Sequence, residues 1–245
     1  MAFQQYVAKD RFIGEIHFDF LIANAVGQQW YDNSPEQFMP ERQWCLEKLK
    51  PGMTVVDCGA HHGIMSVIFA KAVGASGLVH AYEVLPQNAA VISQNADLNR
   101  LTNLIVHPVG LGRTRARLGY NSNLSNAIID GRPGAMVQLV ALDDDLPPSV
   151  TIDFLKLDVE SFEVEALEGM PRILDQRPII DLEIHNFLFS DRTRRLSQLA
   201  VLLSGRGYKF TLLGEIFGEF RDLGGIFDIA QIAPFDNPHV FCELR

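Results

Sequence analysis

The sequence predicts an α/β protein with a doubly wound, mostly parallel β-sheet. Strand-like and helix-like segments alternate along most of the chain, as in parallel sheets whose strands are joined by right-handed helical crossovers. The strand-like segments are continuous apolar runs, which is typical of strands covered on both faces. Several of these runs end in acidic residues or glycines, which is where such sheets bind ligands.

The composition predicts one globular domain that does not bind nucleic acid. The chain has 245 residues, 47% of them hydrophobic, and a formal net charge of −9 without a large basic cluster. Its three cysteines are too few and too scattered for a disulfide framework or a cysteine-based zinc site. No apolar run approaches the ~20 residues that span a bilayer, and the first residues lack the pattern of a signal peptide. We therefore expect a cytoplasmic protein, and the sequence leaves its oligomeric state open.

Turn residues and hydrophobic periodicity place the elements of the sheet. A helix is expected from Ser34 to Leu49, because Ser34, Pro35 and Gln37 have the pattern of a capped helix start. The two last strands are separated by a loop, so we expect them to form an antiparallel hairpin that closes the sheet. The other predicted elements are strands at 53–58, 78–83, 104–109, 152–157, 178–184, 208–213 and 240–244, and helices after residue 63, at 86–99, at 162–174 and at 192–203.

Two segments lie outside this alternation. Residues 1–33 are predicted to be an N-terminal extension, either a strand or helix pair packed over the domain at 34–245 or a lid. Between about 113 and 142, short strand-like segments separated by glycines and a proline predict a small β insertion at the edge of the fold. Asn121, Asn123 and Asn126 in this insertion suit a polyhydroxylated ligand such as a sugar, although exposed loops are commonly rich in asparagine.

A glycine-containing loop, residues 57–63, follows the first strand of the alternating region. Gly59 permits a tight turn, and Gly63 lets the next helix begin close to a ligand. A dinucleotide site has a third glycine here, with space for a pyrophosphate, whereas this loop has His61 and His62. The loop therefore predicts a ligand without phosphate, and an ordinary turn is the alternative.

Glu83 ends the second strand of this region, 26 residues after Asp57. An acidic side chain at this place in a βαβ unit can accept hydrogen bonds from both hydroxyls of a ribose. A solvated carboxylate at a strand end is the alternative. Together, the loop and Glu83 favour a nucleoside-containing ligand.

Acidic residues and a histidine lie at the ends of the fourth and fifth predicted strands of this region, 152–157 and 178–184. We expect Asp158 to lie near Glu183 and His185, because the carboxyl ends of parallel strands meet at one edge of the sheet. A neutral imidazole accepts a proton near pH 7, so His185 is a candidate general base, with Asp158 as the second. The alternatives are a helix cap for Asp158 and a hydrogen-bonded rim position for His185. The three side chains could instead hold Mg²⁺, which we disfavour because imidazole is an uncommon ligand of this ion.

In these motifs the sequence resembles the FkbM family of S-adenosylmethionine-dependent methyltransferases. The most specific resemblance lies in residues 152–169 and 178–183, whose sequences are IDFLKLDVESFEVEALEG and PIIDLE. Further matching stretches are PGMTVVDCGAHHG at 51–63, Tyr82-Glu83 with Pro86 and Asn95, VGLG at 109–112, and ALD at 141–143.

This resemblance implies a class I methyltransferase fold, Rossmann-like, with a seven-stranded sheet that has one antiparallel strand. It implies transfer of a methyl group to a hydroxyl oxygen, and we expect the acceptor to be a small molecule or a sugar. It also implies that Glu83 holds the ribose and that Asp158 lies near the sulfonium and the acceptor. The residues expected around the cofactor are Asp57, Gly59, Ala60, His61, Gly63, Glu83 and Asp158.

The chain departs from the family pattern at two positions. Ser161 stands where the family usually has glycine, and His61 where it often has asparagine. Neither change removes a group that methyl transfer needs. Two other functions stay open, namely an NAD-dependent oxidoreductase or epimerase on a similar βαβ unit, and a non-catalytic scaffold that binds the cofactor.

Overall fold

The computed structural model describes residues 3–32, 39–123, 126–129 and 135–244. Within these residues, eight strands form the main sheet. From one edge to the other they are β13 (Phe220–Gly224), β12 (Tyr208–Leu213), β14 (His239–Leu244), β11 (Ile179–Glu183), β10 (Phe154–Leu157), β3 (Thr54–Cys58), β4 (Leu78–Tyr82) and β5 (Leu104–His107).

The sheet is mostly parallel. Strands β11, β10, β3, β4 and β5 are parallel neighbours, β14 pairs antiparallel with both β11 and β12, and β13 pairs antiparallel with β12. The predicted doubly wound sheet is therefore confirmed, and the last two predicted strands, β12 and β14, do pair antiparallel. They do not form the expected closing hairpin, because β13 lies between them in the chain and forms the edge of the sheet. Two strands, β13 and β14, run antiparallel to the others, where one was expected. The prediction of seven strands missed β13, because this mostly exposed edge strand has no apolar run to identify it.

Residues of each central strand alternate between two apolar cores. Val55 and Phe154 pack into one core, whereas Val56 and Leu155 pack into the other. The first core is covered by α2 (Pro40–Lys48), α3 (Ile64–Val73) and α4 (Pro86–Leu98). The second is covered by α5 (Leu142–Asp145), α6 (Glu163–Glu168), α7 (Pro171–Gln176), α8 (Arg192–Leu203) and α9 (Ile229–Ile232). Within the described residues, no helix combines the length and apolar character that a membrane crossing requires.

The N-terminal segment is a β-hairpin packed on the first core. Strands β1 (Tyr6–Ile13) and β2 (Ile16–Ile22) pair antiparallel and bury Phe20 and Ile22. Asn95 of α4 accepts a hydrogen bond from the backbone N–H of Leu21 at 2.7 Å and donates one to the carbonyl of His62 at 3.0 Å. The hairpin is thus tied to the glycine loop. The following short helix α1 (Ala25–Gly27) and a π-helical turn at Gln28–Asp32 extend toward the carboxyl ends of the strands.

The predicted insertion forms a small sheet of its own. Its strands are β6 (Gly110–Leu111), β9 (Met136–Val140), β7 (Ala116–Asn123) and β8 (Asn126–Ile129), in that spatial order. The side chains of Asn121, Asn123 and Asn126, which suggested a polyhydroxylated ligand, lie outside the described part of the structure.

Two helix boundaries differ from the prediction. Helix α2 begins at Pro40, after an extended Met39, and the predicted start at Ser34, Pro35 and Gln37 lies outside the described residues. The single helix predicted at 162–174 is two helices, α6 and α7. Proline has no N–H for the helical hydrogen-bond ladder, so Pro171 starts a new helix instead of continuing the first.

Candidate active site

A cavity of about 750 Å³ lies at the carboxyl ends of β3, β4, β10 and β11. This volume is in the range of small-molecule sites, roughly 300–1,000 Å³. The N-terminal segment contributes Trp30 and Tyr31 to its wall, and the start of α2 contributes Glu41 and Arg42. Of the predicted site residues, those that line the cavity are Asp57, Gly59, Ala60, His61, Glu83, Asp158 and His185.

The two predicted glycines of the loop serve different purposes. Gly59 has φ +82°, and a Cβ there would lie 1.7 Å from the carbonyl oxygen of Asp158, so only glycine allows these two backbone segments to touch. Gly63 has φ +85°, and a Cβ there would lie 2.9 Å from Ile92 of α4. Gly63 is not among the described residues that line the cavity. Helix packing therefore accounts for glycine at 63, and the next residue, Ile64, lines the cavity, so the expected position of Gly63 near the cofactor stays a prediction.

Glu83 is buried and already accepts three hydrogen bonds. Its Oε2 accepts from the backbone N–H of His61 at 2.9 Å, and its Oε1 accepts from the backbone N–H of Leu85 at 2.8 Å and the amide of Asn88 at 3.4 Å. Burial raises the pKa of Glu83 to about 7. A carboxylate has about four acceptor positions, so one is left for a ligand hydroxyl, rather than the two that a bidentate pair needs.

Aromatic rings form the wall beside the glycine loop. The hydroxyl of Tyr31 lies 2.5 Å from Nδ1 of His61, and the ring of Trp30 is 5.1 Å from the His61 ring. On its other side, His61 stacks on His62 with ring centroids 4.0 Å apart. Burial lowers the pKa of His61 to about 2, so this ring is neutral at pH 7. His61 thus couples the N-terminal segment to the loop.

Lys156 is a buried cation at the centre of the acidic residues. Its Nζ lies 3.1 Å from Oδ2 of Asp158, and 3.6 Å from both Oε1 of Glu41 and Oε2 of Glu183. Although burial opposes the charged form, Asp158, Glu41 and Glu183 raise the pKa of Lys156 well above its usual value. The negative charge of these crowded carboxylates is therefore compensated by the ammonium group of Lys156.

His185 has carboxylates at both ring nitrogens. Its Nδ1 lies 2.7 Å from Oε1 of the fully buried Glu163, and its Nε2 lies 3.6 Å from both Oδ1 of Asp158 and Oε2 of Glu160. Burial alone would lower the pKa of His185. The hydrogen bond to Glu163 and the negative charges of Glu183 and Asp158 outweigh this effect and raise the pKa to about 10. His185 is therefore an imidazolium near pH 7, and the predicted neutral imidazole is wrong.

Asp158 is the carboxylate best placed to take up a proton. Its side chain is 31% exposed and lines the cavity. Burial, together with the negative charge of Glu183, raises the pKa of Asp158 above its usual range. A raised pKa makes a carboxylate a stronger base. Of the two predicted base candidates, the geometry thus favours Asp158.

Glu160 and Ser161, which follow Asp158 closely in the chain, have left-handed backbone conformations. Glu160 has φ +50° and Ser161 has φ +77°. Such angles are uncommon for residues other than glycine, and they cluster at functional sites. This geometry explains why glycine is expected in place of Ser161. Burial raises the pKa of Glu160, which lines the cavity, to about 7.

The three residues considered for Mg²⁺ do come together. One ligand atom from each of Asp158, Glu183 and His185 lies within 4.8 Å of the others. The ammonium of Lys156 contacts two of these residues, and the third is an imidazolium. A protonated imidazole offers no lone pair to a metal, so these side chains suit Mg²⁺ poorly in the charge state that the structure favours.

Several cavity or supporting residues could not be identified from the sequence. Lys156 and Glu163 lie inside the recognised stretch at 152–169, but their contacts depend on neighbouring strands and loops. His239 of β14 lies 2.8 Å from Asp181, and despite burial the nearby carboxylates Asp181, Glu41 and Glu183 raise the pKa of His239 to about 10. The other missed residues line the cavity from the N-terminal part of the chain: Trp30, Tyr31, Glu41 and Arg42.

The fold is similar to that of a solved FkbM methyltransferase. Methyltransferase FkbM from Methylobacillus flagellatus KT has a TM-score of 0.52 at 19% identity, over 82% of this chain and 50% of that one. Precorrin-6y C5,15-methyltransferase from Geobacter metallireducens GS-15 has a TM-score of 0.49 at 16% identity, over 87% of this chain and 90% of that one. The first similarity supports a class I S-adenosylmethionine methyltransferase fold.

Comparison of the sequence with known proteins found a short match to a curated protein and a longer match to a domain family. The ribosomal RNA large subunit methyltransferase E of Acinetobacter baumannii is 56% identical over 73 residues, which are 30% of this chain and 34% of that protein. The chain thus matches about a third of the length of this curated relative. The model of the methyltransferase FkbM domain matches residues 57–210. This longer match extends over more than half of the chain, from the glycine loop to beyond His185, and the chain belongs to the methyltransferase FkbM domain family.

Proposed function

We propose that the chain is an enzyme that transfers a methyl group from S-adenosylmethionine to a hydroxyl oxygen of a small molecule or carbohydrate. The observation that carries the proposal is the single cavity that joins the glycine loop and Glu83 to Asp158. A nucleoside ligand at Glu83 and an acceptor at Asp158 would share this space. Membership of the FkbM domain family supports the choice of cofactor.

The residues present suit this cofactor. Oε2 of Glu83 keeps capacity for a ribose hydroxyl, and the loop at 59–61 approaches the same space. His61 and Trp30 provide apolar ring surface. The bulky imidazole of His61 at the cavity wall also agrees with a ligand that lacks a pyrophosphate.

Asp158 acts as the general base in this proposal. S-adenosylmethionine supplies an electrophilic methyl group on a sulfonium. Asp158 accepts the proton of the acceptor hydroxyl, while Lys156 and His185 contact its two oxygens from the protein side and fix the orientation of the carboxylate. A positioned base of this kind typically contributes about 10²–10⁴-fold to the rate, and alignment of acceptor and donor contributes several kcal/mol, up to about 10.

The mouth of the cavity favours an organic small molecule over RNA. Phe187 and Ile216 line the cavity and are 56% and 52% exposed, so they offer apolar surface to an acceptor. RNA recognition is dominated by phosphate contacts from basic residues, whereas this chain has a net charge of −9 and a cavity lined by several carboxylates. The short similarity to an RNA methyltransferase therefore does not change the proposed acceptor.

The two alternative functions have less support. A nicotinamide-dependent oxidoreductase or epimerase would need a pyrophosphate cradle, whereas the loop presents the ring of His61 to the cavity. A non-catalytic scaffold would not need Asp158 in the cavity wall between two cations.

A methyl-transfer assay tests the proposal. Purified protein is incubated with S-[methyl-³H]adenosylmethionine and fractionated extract of source cells, and binding of S-adenosylmethionine and NAD is compared by calorimetry. We expect binding of S-adenosylmethionine alone, and label in a low-molecular-weight fraction that resists mild alkali, as an ether does. Label in RNA would overturn the acceptor class, and selective binding of NAD would overturn the proposed function.

A further inference from the structure

The mouth of the cavity carries large apolar side chains that face solvent. Phe187 follows β11, and Ile216 lies in the turn between β12 and β13. Both side chains line the cavity and are more than half exposed, and Phe217 beside Ile216 is also exposed. Single exposed apolar side chains are common on protein surfaces, whereas a group of them at the rim of a cavity is typical of a binding surface.

Backbone and side-chain contacts hold this rim in place. The backbone N–H of Phe187 donates a hydrogen bond to the carbonyl of Asp236 at 3.2 Å, and the buried Asn186 donates one to the carbonyl of Phe235 at 2.8 Å. The turn after β12 begins at Gly214, where a Cβ would lie 2.4 Å from the Phe235 ring. The turn and the segment that contains Phe187 therefore rest against the same loop. This apolar surface is preformed, so a ligand need not order it.

The apolar rim lies close to the proposed base. The ring centroids of Phe187 and His185 are 6.0 Å apart, and Nε2 of His185 lies 3.6 Å from Oδ1 of Asp158. One small molecule can therefore place a hydroxyl at Asp158 and contact the Phe187 ring. The part of the acceptor that lies next to its hydroxyl is then the part that meets the apolar rim.

The charged groups near this rim disfavour an anionic acceptor. Asp158, Glu160 and Glu183 line the cavity, and the cations Lys156 and His185 already contact them. A carboxylate or phosphate of the acceptor would be placed beside these three carboxylates, and like charges repel strongly in a partly buried site. The surroundings of Asp158 thus favour an acceptor without negative charge.

We propose that the mouth of the cavity binds an apolar group of the methyl acceptor, and that this acceptor is an uncharged alcohol or phenol with an aromatic or aliphatic group near its hydroxyl. The inference rests on the proposed function and narrows its acceptor class, because a free sugar has no such group. Phe187 and Ile216 bind the apolar group, and removal of their exposed surface from water favours binding. Asp158 receives the proton of the adjacent hydroxyl.

Two fluorescent probes that differ by one charge test this subsite without turnover. N-phenyl-1-naphthylamine is uncharged, and 8-anilinonaphthalene-1-sulfonate has the same rings with an added sulfonate. Each probe is titrated into protein loaded with S-adenosylhomocysteine, so that the cofactor side of the cavity is filled. We expect the wild type to bind the uncharged probe about 10-fold more tightly or better, because the carboxylates repel the sulfonate.

Phe187→Ser and Ile216→Ser should each weaken binding of N-phenyl-1-naphthylamine about 5- to 50-fold, because each removes apolar surface from the mouth. Phe187→Leu should lose less, since it keeps an apolar side chain. Val201→Ser is the matched control, because Val201 is an exposed apolar residue of α8 that is not among the described residues lining the cavity. It should leave the affinity for the probe unchanged.

Three results would overturn the inference: no binding of N-phenyl-1-naphthylamine, binding that Phe187→Ser and Ile216→Ser leave unchanged, or similar or tighter binding of the sulfonate. The methyl-transfer assay provides an independent check, since labelled product should pass from water at pH 7 into ethyl acetate and should not bind an anion exchanger. Label that stays in the water phase contradicts the inference and leaves methyl transfer intact. If the wild type binds no S-adenosylhomocysteine, the proposed function itself fails.

Discussion

Nδ1 of His185 lies 2.7 Å from Oε1 of Glu163, whose side chain has no exposed surface. A carboxylate only accepts hydrogen bonds, so this nitrogen carries a proton. The other ring nitrogen faces Asp158 and Glu160, both at 3.6 Å, which favours a second proton. The contact with Glu163 therefore changes the expected role of His185 from a base to a cation that orients the neighbouring carboxylates.

The pH dependence of methyl transfer follows from this contact. With Asp158 as the base, kcat/KM should rise as Asp158 loses its proton on the acidic side. It should then fall near pH 10, where His185 loses its own proton. Glu163→Gln removes a charge that raises the pKa of His185, so the basic limb should move down by about 1–2 pH units. Glu168→Gln on the same helix should leave the limb in place, since Glu168 pairs with Arg113. A wild-type rate that increases through pH 10 would identify His185 as the base instead.

Asp158→Asn tests the base directly. The amide cannot accept the proton but keeps the size of the side chain, so kcat should fall about 10²–10⁴-fold. Affinity for S-adenosylhomocysteine should change little in comparison. His185→Ala should lose less activity than Asp158→Asn, because it removes only one of the two cations beside Asp158. If His185→Ala lost more activity than Asp158→Asn in single-turnover assays, Asp158 would not be the base.

Removal of metal ions with EDTA distinguishes proton transfer to Asp158 from catalysis by a bound Mg²⁺. Lys156 contacts two of the residues that were candidates for Mg²⁺, and His185 is protonated, so EDTA should leave the rate unchanged. Added Mg²⁺ should likewise have no effect. Loss of activity with EDTA, restored by Mg²⁺, would show that the ion displaces or joins these cations.

Glu83→Gln tests the ribose contact with a smaller effect on the loop than Glu83→Ala, because the amide keeps one of the two acceptor oxygens that the N–H groups of His61 and Leu85 use. Loss of the charge should weaken binding of S-adenosylhomocysteine by about 1–3 kcal/mol, because a charge-assisted hydrogen bond becomes a neutral one. Glu83→Ala should lower the melting temperature more than Glu83→Gln, since it leaves the buried N–H groups of both His61 and Leu85 without their acceptor, whereas Glu83→Gln leaves only one of them without it. Calorimetry and thermal unfolding of both variants measure the two effects, and unchanged affinity in Glu83→Gln would remove Glu83 from the site.

Gly59→Ala should lower the free energy of unfolding far more than the same change at a glycine that has open space around it. The added Cβ would lie 1.7 Å from a backbone carbonyl, so the central strands must separate, and we expect a loss of about 3 kcal/mol or more in the free energy of unfolding. Gly205→Ala is the matched control, because Gly205 also has positive φ, at +78°, but has open space around it. Its cost should be about 1 kcal/mol. Similar urea midpoints for the two variants would refute the explanation given for Gly59.

The sequence by itself determined the sheet and much of the cavity. Apolar runs such as 53–58 and 78–83 form central strands because every second residue packs into one of two cores. The residues directly after those strands, among them Gly59 and Asp158, must then lie at one edge of the sheet. This much follows from local pattern and chain direction alone.

Only the tertiary structure decided the charge state and the remaining wall of the site. The protonation of His185 depends on Glu163, 22 residues earlier in the chain, and on carboxylates from a neighbouring loop. Arg42 reaches the cavity because Trp44 of α2 packs on Phe154 of β10 and Phe241 of β14, which no motif records. Burial and partner charges shift a pKa according to distances in space, and spacing along the sequence does not contain those distances.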